Sequence, residues 1–455
     1  MSTLSKPKKS AFAPLSLIVR GGLGYGVLAL ALATAFAQAT YPATPAANSE
    51  GHDYPFARLK ELSVDVLVEQ VLARNPSLAQ MEAAWQAASA RYPQVTSLDD
   101  PMVGAALAPA SIGSNEVEFG GRLEISQKYP FPGKRALRGQ AALAEAGAAE
   151  RDVEDMRLQL IESAKNAFFD YYLVHRALGV NDEGVRLLRE ARNSAEARVR
   201  TSKASLQEVL QIDVEIGRQQ ERRINLERIR KVATARINTL LHLAPDQALP
   251  PPPGELPLAE AALPPLEVLR SRALALRPDL QALANRLAAE QAALALACRE
   301  RYPDFEGFAA YDSIMGNGPT RDLAPQIGFR INLPVRKERR YAAVAEAQAK
   351  VAQRRAELAS RTDLVNFQVH EAYEQVHESE SVVRLYQRSI LPAAGDNIKA
   401  ARPAYVTAQI PLLGYLEAQR TFVSLQDRYY EAVADYFRRR ATLERVSGGP
   451  LSAPP

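Results

Sequence analysis

The sequence predicts a mainly α-helical fold with a small β part: two long helical hairpins and four short strands, arranged as one structural unit written twice. Three observations predict it. From Gly133 to Ala244 no proline occurs, and Ala, Leu, Glu, Arg and Gln, all strong helix formers, dominate. Two short stretches, beginning at Val117 and at Gln326, alternate strictly between apolar and polar residues, the period of a half-buried strand. Finally, Ala73-Arg74-Asn75-Pro76-Ser77-Leu78 returns as Ala275-Leu276-Arg277-Pro278-Asp279-Leu280, and Pro101 returns as Pro303, both at a separation of 202 positions.

The first segment is an export signal. Lys6, Lys8 and Lys9 precede an apolar run from Gly21 to Phe36, and Ala35-Phe36-Ala37 forms a small-x-small cleavage site, so residues 1–37 read as a secretory signal peptide. The run is shorter than the roughly 20 residues a spanning helix needs. The formal charge of +4 resides there: Lys6, Lys8, Lys9 and Arg20 are its only charged residues, and their removal leaves the remainder near zero. No basic field remains to attract a nucleic acid. One cysteine, Cys298, excludes an intramolecular disulfide and a cysteine-based zinc site; on its Ala-rich helix it reads as a small buried hydrophobe. Beyond the signal no stretch of 18 apolar residues occurs, which leaves β-strands as the means of crossing a membrane.

The first repeat spans 38–248, a Pro-rich linker containing Pro250-Pro251-Pro252-Pro253 spans 249–265, the second repeat spans 266–446, and 447–455 reads as a disordered tail. Each repeat begins with a helix, over about 65–92 and about 266–300, carrying apolar residues such as Val64, Leu67, Val68 and Val71 at helical spacing. A β-hairpin follows, within about 101–132 and about 303–334. Its strands lie near Met102–Ala108 and from Val117, then near Phe305–Ser313 and from Gln326, joined by Gly113-Ser114-Asn115 and Gly316-Asn317-Gly318. On one face stand Val117, Phe119, Leu123 and Ile125; on the other Glu118, Arg122, Glu124 and Ser126. A helical hairpin completes each repeat, over about 133–244 and about 336–446. Half of the first span is on the order of 80 Å long, so the chain must double back, near Ser202-Lys203-Ala204-Ser205 and near Ala408-Gln409-Ile410-Pro411.

Strands of about ten residues fit a tilted bilayer crossing. Four cannot close a barrel, and open edges in lipid leave backbone groups unsatisfied, so chains must pool their strands. Two chains give eight strands around a filled interior; three give twelve around a wider lumen.

Here the sequence resembles the TolC-like outer-membrane efflux proteins, over about residues 60 to 446. The resemblance rests on the duplicated Asn75-Pro76-Ser77-Leu78 and Arg277-Pro278-Asp279-Leu280 and on the strand exit Ile125-Ser126-Gln127 leading into Tyr129-Pro130-Phe131-Pro132-Gly133-Lys134-Arg135. It rests further on Ile390-Leu391-Pro392 and on Leu416-Glu417-Ala418-Gln419-Arg420. It implies a homotrimer with a twelve-stranded barrel in the outer membrane and a helical barrel in the periplasm. It also implies an adapter (membrane fusion) protein at the helical tips and an inner-membrane transporter of the RND type as partners, with no cofactor. The exit motif looks most like the branch serving heavy-metal cation pumps. Relatives commonly carry Gly at the helical bends, where this chain has Ser202 and Ala408. A soluble periplasmic coiled-coil adapter or scaffold is the alternative reading.

Catalytic constellations are poor. The five histidines are scattered without HExxH spacing; His370 and His377 share a helix face as a metal pair without further ligands, and a solvated face is the plainer reading. The aromatics Phe119, Tyr129, Phe131, Phe305, Phe308 and Tyr311 fit an interfacial girdle and lipid-facing positions, or ordinary packing. The acids after the bends, Glu208, Asp213 and Glu417, are aperture candidates, because symmetry would turn each into a carboxylate ring that favours cations. The resemblance places Leu416-Glu417 at the constriction and Ser202, Lys203, Ala408 and Gln409 at the adapter-docking tips.

Overall fold

The structure, a computed structural model, describes residues 56, 59–107, 109, 119–202, 204–257, 263–315 and 325–451. The signal segment 1–37, the strand turns at 113–115 and 316–318, residues 117 and 118, Lys203 and residues 452–455 lie outside them.

The single opening helix expected in each repeat is broken. The first repeat has α1 (Val64–Arg74), α2 (Pro76–Ser89) and α3 (Arg91–Thr96); the second has α6 (Leu266–Leu276) and α7 (Pro278–Arg299). Proline forces both breaks: it has no N–H and drives its predecessor out of the helical region, so Asn75 and Arg277 both stand at ψ 121°. The same prolines then start α2 and α7 at a position where no N–H is required. The Asn75 side chain accepts from the Ser77 N–H at 2.9 Å and donates to the Leu240 carbonyl at 2.9 Å, tying the break to the end of the first hairpin.

That hairpin is α4 (Lys134–Arg200) and α5 (Leu206–Leu240). The second is α8 (Lys337–Leu385), a π-helical turn (Tyr386–Ile390), α9 (Leu391–Val406) and α10 (Leu412–Val446). The π turn ends at the residue before Leu391-Pro392, and the proline explains it: a residue without N–H, whose ring crowds the preceding turn, is accommodated by widening the ladder. The two bends are related by the repeat. Thr201 and Thr407 close the descending helices, and Ser202 (φ 58°) and Ala408 (φ 60°) both adopt the left-handed conformation. No helix of the described residues is long and apolar enough to cross a membrane.

The strands β1 (Met102–Leu107), β2 (Phe119–Tyr129), β3 (Phe305–Met315) and β4 (Gln326–Ile331) form one antiparallel sheet in the order β1-β2-β3-β4, so the two repeats join at β2–β3, where Tyr129 stands opposite Phe305. β1 and β4 are the free edges. Among the described residues, hydrophobic cores hold the helices together, two of them as follows. One gathers Leu269, Ala273, Val365, Val369, Val376 and Val433 with Tyr172; the other, near the bends, gathers Leu188, Val209, Ile212, Tyr405, Tyr415 and Leu416. The first core also takes Leu451, and Ser447 is fully buried, so the expected disordered tail is packed at least over Ser447–Leu451.

Candidate membrane sheet and aperture

The sheet has two unlike faces. Val103, Leu107, Leu123, Ile125, Tyr311, Ile327, Phe329 and Ile331 share one side and are exposed, Ile327 at 88% and Phe329 at 75%. The other side carries charge: Glu124 accepts from Arg122 at 2.8 Å and from Arg330 at 2.5 Å, and Arg330 also reaches Glu306 at 3.2 Å. Phe308 belongs to this polar side, under the Arg330 guanidinium at 4.3 Å from its ring centre, not to the lipid-facing set. Gly328 makes room for it, since a Cβ there would stand 2.5 Å from the Phe308 ring. Apolar side chains exposed on one face and compensated charge on the other are what a barrel wall between lipid and a wet lumen needs. At the rim where β2 leaves the sheet and β3 enters it, Phe131 stacks on Tyr302 at 4.6 Å and lies 6.5 Å from Phe305.

Below that rim, the strand exit that sequence reading treated only as a motif is a built junction. Gly133 takes φ 90°, which a side chain would resist, and opens α4. Lys134 then turns inward, 1% exposed, and donates to Glu300 at 3.1 Å, Asp304 at 2.9 Å and the Tyr302 carbonyl at 3.0 Å. Asp304 also accepts from the Phe131 N–H at 2.8 Å. A basic residue just after Pro130, Pro132 and Gly133, in an apparent turn, gave no sequence signal of burial.

At the opposite end the three acids part company. Glu208 accepts from the Tyr405 hydroxyl at 3.0 Å, with Arg198 at 3.8 Å; Asp213 accepts from Arg192 at 2.5 Å. Both are therefore neutralised within the chain. Glu417 is exposed on α10 and makes no ion pair among the described residues, with the apolar Leu416 buried behind it. Ser202 is exposed at the first bend, Ala408 and Gln409 at the second, and Gln409 is held there by its N–H on the Ala404 carbonyl at 2.8 Å. Two further features were not foreseen. Tyr405 and Tyr415 stack at 5.5 Å with Arg198 over the Tyr405 ring at 4.9 Å, and burial together with Glu208 pushes the Tyr405 hydroxyl up to about 12. Glu215, a carboxylate on the apolar stripe of Val209 and Ile212, is 5% exposed and is held by Arg420 of α10. The sequence signal was its spacing: an acid in the stripe demands a cation opposite.

Elsewhere the candidates dissolve. His370 is taken by Arg270, 3.2 Å from its Nδ1, and no group of three metal-ligating side chains occurs among the described residues. Cys298 is exposed on α7 rather than buried.

Long helical hairpins, a duplicated unit and an open sheet with an apolar outer face define a membrane-embedded duct subunit. The model of the outer membrane efflux proteins matches residues 67–241 and 269–449, one match per repeat, and the chain belongs to that family: an outer-membrane efflux protein and not an enzyme. Its fold is similar to the outer-membrane channel OprN (21% identity, TM-score 0.72, covering 88% of this chain and 95% of that one). It is equally similar to VceC of Vibrio cholerae (18%, 0.73, 86% and 97%) and to the MtrE channel of Neisseria gonorrhoeae in its open state (17%, 0.73, 85% and 89%). No curated protein matches the chain by sequence.

Proposed function

We propose that three copies pool their sheets into a twelve-stranded barrel and their hairpins into a periplasmic helical duct, which serves as the passive outer-membrane conduit of a tripartite efflux pump. The observation that carries this is the four-stranded sheet with two free edges and an exposed apolar face: such a sheet is stable in lipid only when its edges are closed by other copies. The bends at Ser202–Lys203 and Ala408–Gln409 are the surface for the periplasmic adapter, which connects to an RND-type transporter of the inner membrane. Glu417 is the aperture residue. It makes no ion pair among the described residues, feeling only the field of Arg420, whose guanidinium is engaged by Glu215, whereas Glu208 and Asp213 are already compensated. The likeness of the Tyr129–Arg135 exit to the heavy-metal branch makes metal cations the first cargo to test, and a fold match to CusC (16%, TM-score 0.72) stands beside it.

Reconstitution in a planar bilayer tests the reading. The purified protein should give discrete single-channel currents and should fractionate with the outer membrane. A protein released with the soluble periplasm and silent in the bilayer would refute it and favour a periplasmic scaffold.

A further inference from the structure

The internal repeat supplies a template for a contact that one chain cannot make with itself. Within the chain, β2 pairs with β3 from Phe119 opposite Met315 to Tyr129 opposite Phe305, and the exit from β2 meets the lead-in to β3 through Lys134, Glu300 and Asp304. A shift of 202 positions carries Pro132 to Pro334 and Lys134 to Arg336, and carries Pro303 back to Pro101. Under that shift β4 takes the place of β2, and β1 the place of β3. In one chain β4 and β1 lie at opposite edges of the sheet, so the equivalent pairing needs a second copy.

The register follows. Tyr129 opposite Phe305 becomes Ile331 opposite Val103 of the second copy; Phe329 then faces its Ala105 and Ile327 its Leu107. Every such pair puts its side chains on the exposed apolar face, where these strands already carry Val103, Leu107, Ile327, Phe329 and Ile331. A slip of one residue would turn one row to the wrong side.

Charge agrees with this register. Asp99 and Asp100, just before β1, are exposed and make no ion pair among the described residues. Arg336, Lys337 and Arg339, just after β4, likewise have no carboxylate partner there. Cations at the start of a helix oppose its dipole, so α8 itself gives no reason for the cluster. The acids do not sit at the positions equivalent to Glu300 and Asp304, which are Leu98 and Met102, but they fall between them in the same lead-in.

We propose that β4 of one copy pairs antiparallel with β1 of the next in the register Ile331–Val103, seating Asp99 and Asp100 of the second copy against Arg336 and Lys337. This rests on the pooled-barrel reading and specifies its seam. Opposed residues of antiparallel strands stand about 4.5–5.5 Å apart at Cα, within disulfide reach, whereas diagonal neighbours lie roughly 7–8 Å apart. In a Cys298→Ala background, Val103→Cys with Ile331→Cys should therefore oxidise in outer-membrane vesicles to a covalent trimer, at a yield at least several-fold above Val103→Cys with Phe329→Cys. Separately, Asp100→Arg should reduce the detergent-stable trimer several-fold, and adding Arg336→Asp should restore it. A trimer by light scattering that cross-links better through Phe329→Cys, or not at all, overturns the register and leaves the conduit standing. A trimer that the charge swap fails to restore overturns the Asp100–Arg336 contact. A monomer overturns both the seam and the conduit.

Discussion

The Arg420 guanidinium of α10 donates two hydrogen bonds to the Glu215 carboxylate of α5, at 3.2 and 2.5 Å, and so clasps the returning helices of the two hairpins near the bends. Arg218 adds a third contact to the same carboxylate at 3.4 Å. Glu215→Gln keeps the shape and removes the charge. It should cost roughly 1–3 kcal/mol of stability in thermal unfolding, and it should raise single-channel conductance, because a tip held less firmly opens further. The hydrogen bonds from Arg420 hold the Glu215 carboxyl below the usual carboxylate range. A carboxyl whose folded value is depressed contributes stability that is complete above the unfolded value and is lost as the pH falls through the folded one. The clasp should therefore persist through mild acid, and loss of its contribution already near neutral pH would contradict the assignment.

The sheet faces give a second test. Leu123, 59% exposed on the apolar side, should tolerate no charge: Leu123→Arg is expected to cost about 2–4 kcal/mol if it lies near the bilayer midplane, read as loss of heat-resistant protein in the outer membrane. Arg122→Ala should be tolerated, since Glu124 keeps Arg330 as a partner. Equal behaviour of the two variants would mean that the faces are assigned the wrong way round.

His175 sets an acid limit on the middle of the molecule. Its ring packs edge-on against Tyr171 at 4.4 Å, its Nε2 finds no hydrogen-bond partner among the described residues, and burial pushes its pKa down to about 4. The unfolded chain binds this proton near the ordinary value of about 6.5, so stability drains as the pH falls from there toward 4, by at most roughly 3 kcal/mol. His175→Phe should flatten the pH dependence of the melting temperature in that window. An unchanged slope would place the titration elsewhere.

If Glu417 lines the aperture as proposed, Glu417→Ala should lower the cation-over-anion permeability ratio of single channels, and Glu417→Lys should lower it further, because a threefold axis would bring three such carboxylates together. Asp213→Asn should change the ratio less, since Arg192 already neutralises that acid. Parental selectivity in both Glu417 variants would make it an ordinary solvated residue.

Much of this was legible in the sequence, for physical reasons that differ by element. The strands showed because a wall between lipid and water forces the alternation of Leu123 and Ile125 with Arg122 and Glu124. The long hairpins showed because helix formers ran on without proline. The breaks at Asn75 and Arg277 were written in the prolines that follow them, yet an apolar period continuing across both made each pair look like one helix. The bends were placed at Ser202 and Ala408, but not their left-handed backbone, which those residues adopt without the ease of glycine. Long-range partners were not legible. The spacing of Glu215 within the stripe of Val209 and Ile212 hinted at its burial, but nothing local named Arg420 as the cation that meets it, and nothing showed that Lys134 would face Glu300 and Asp304 from across the repeat.

The central claim is that one chain supplies a third of a closed barrel, and the mass of the detergent-solubilised protein tests it most directly. Light scattering coupled to size exclusion, corrected for bound detergent, should give three times the chain mass for a particle with a well-folded, mainly helical spectrum. A folded particle of one chain mass would leave β1 and β4 open in lipid and would contradict the account.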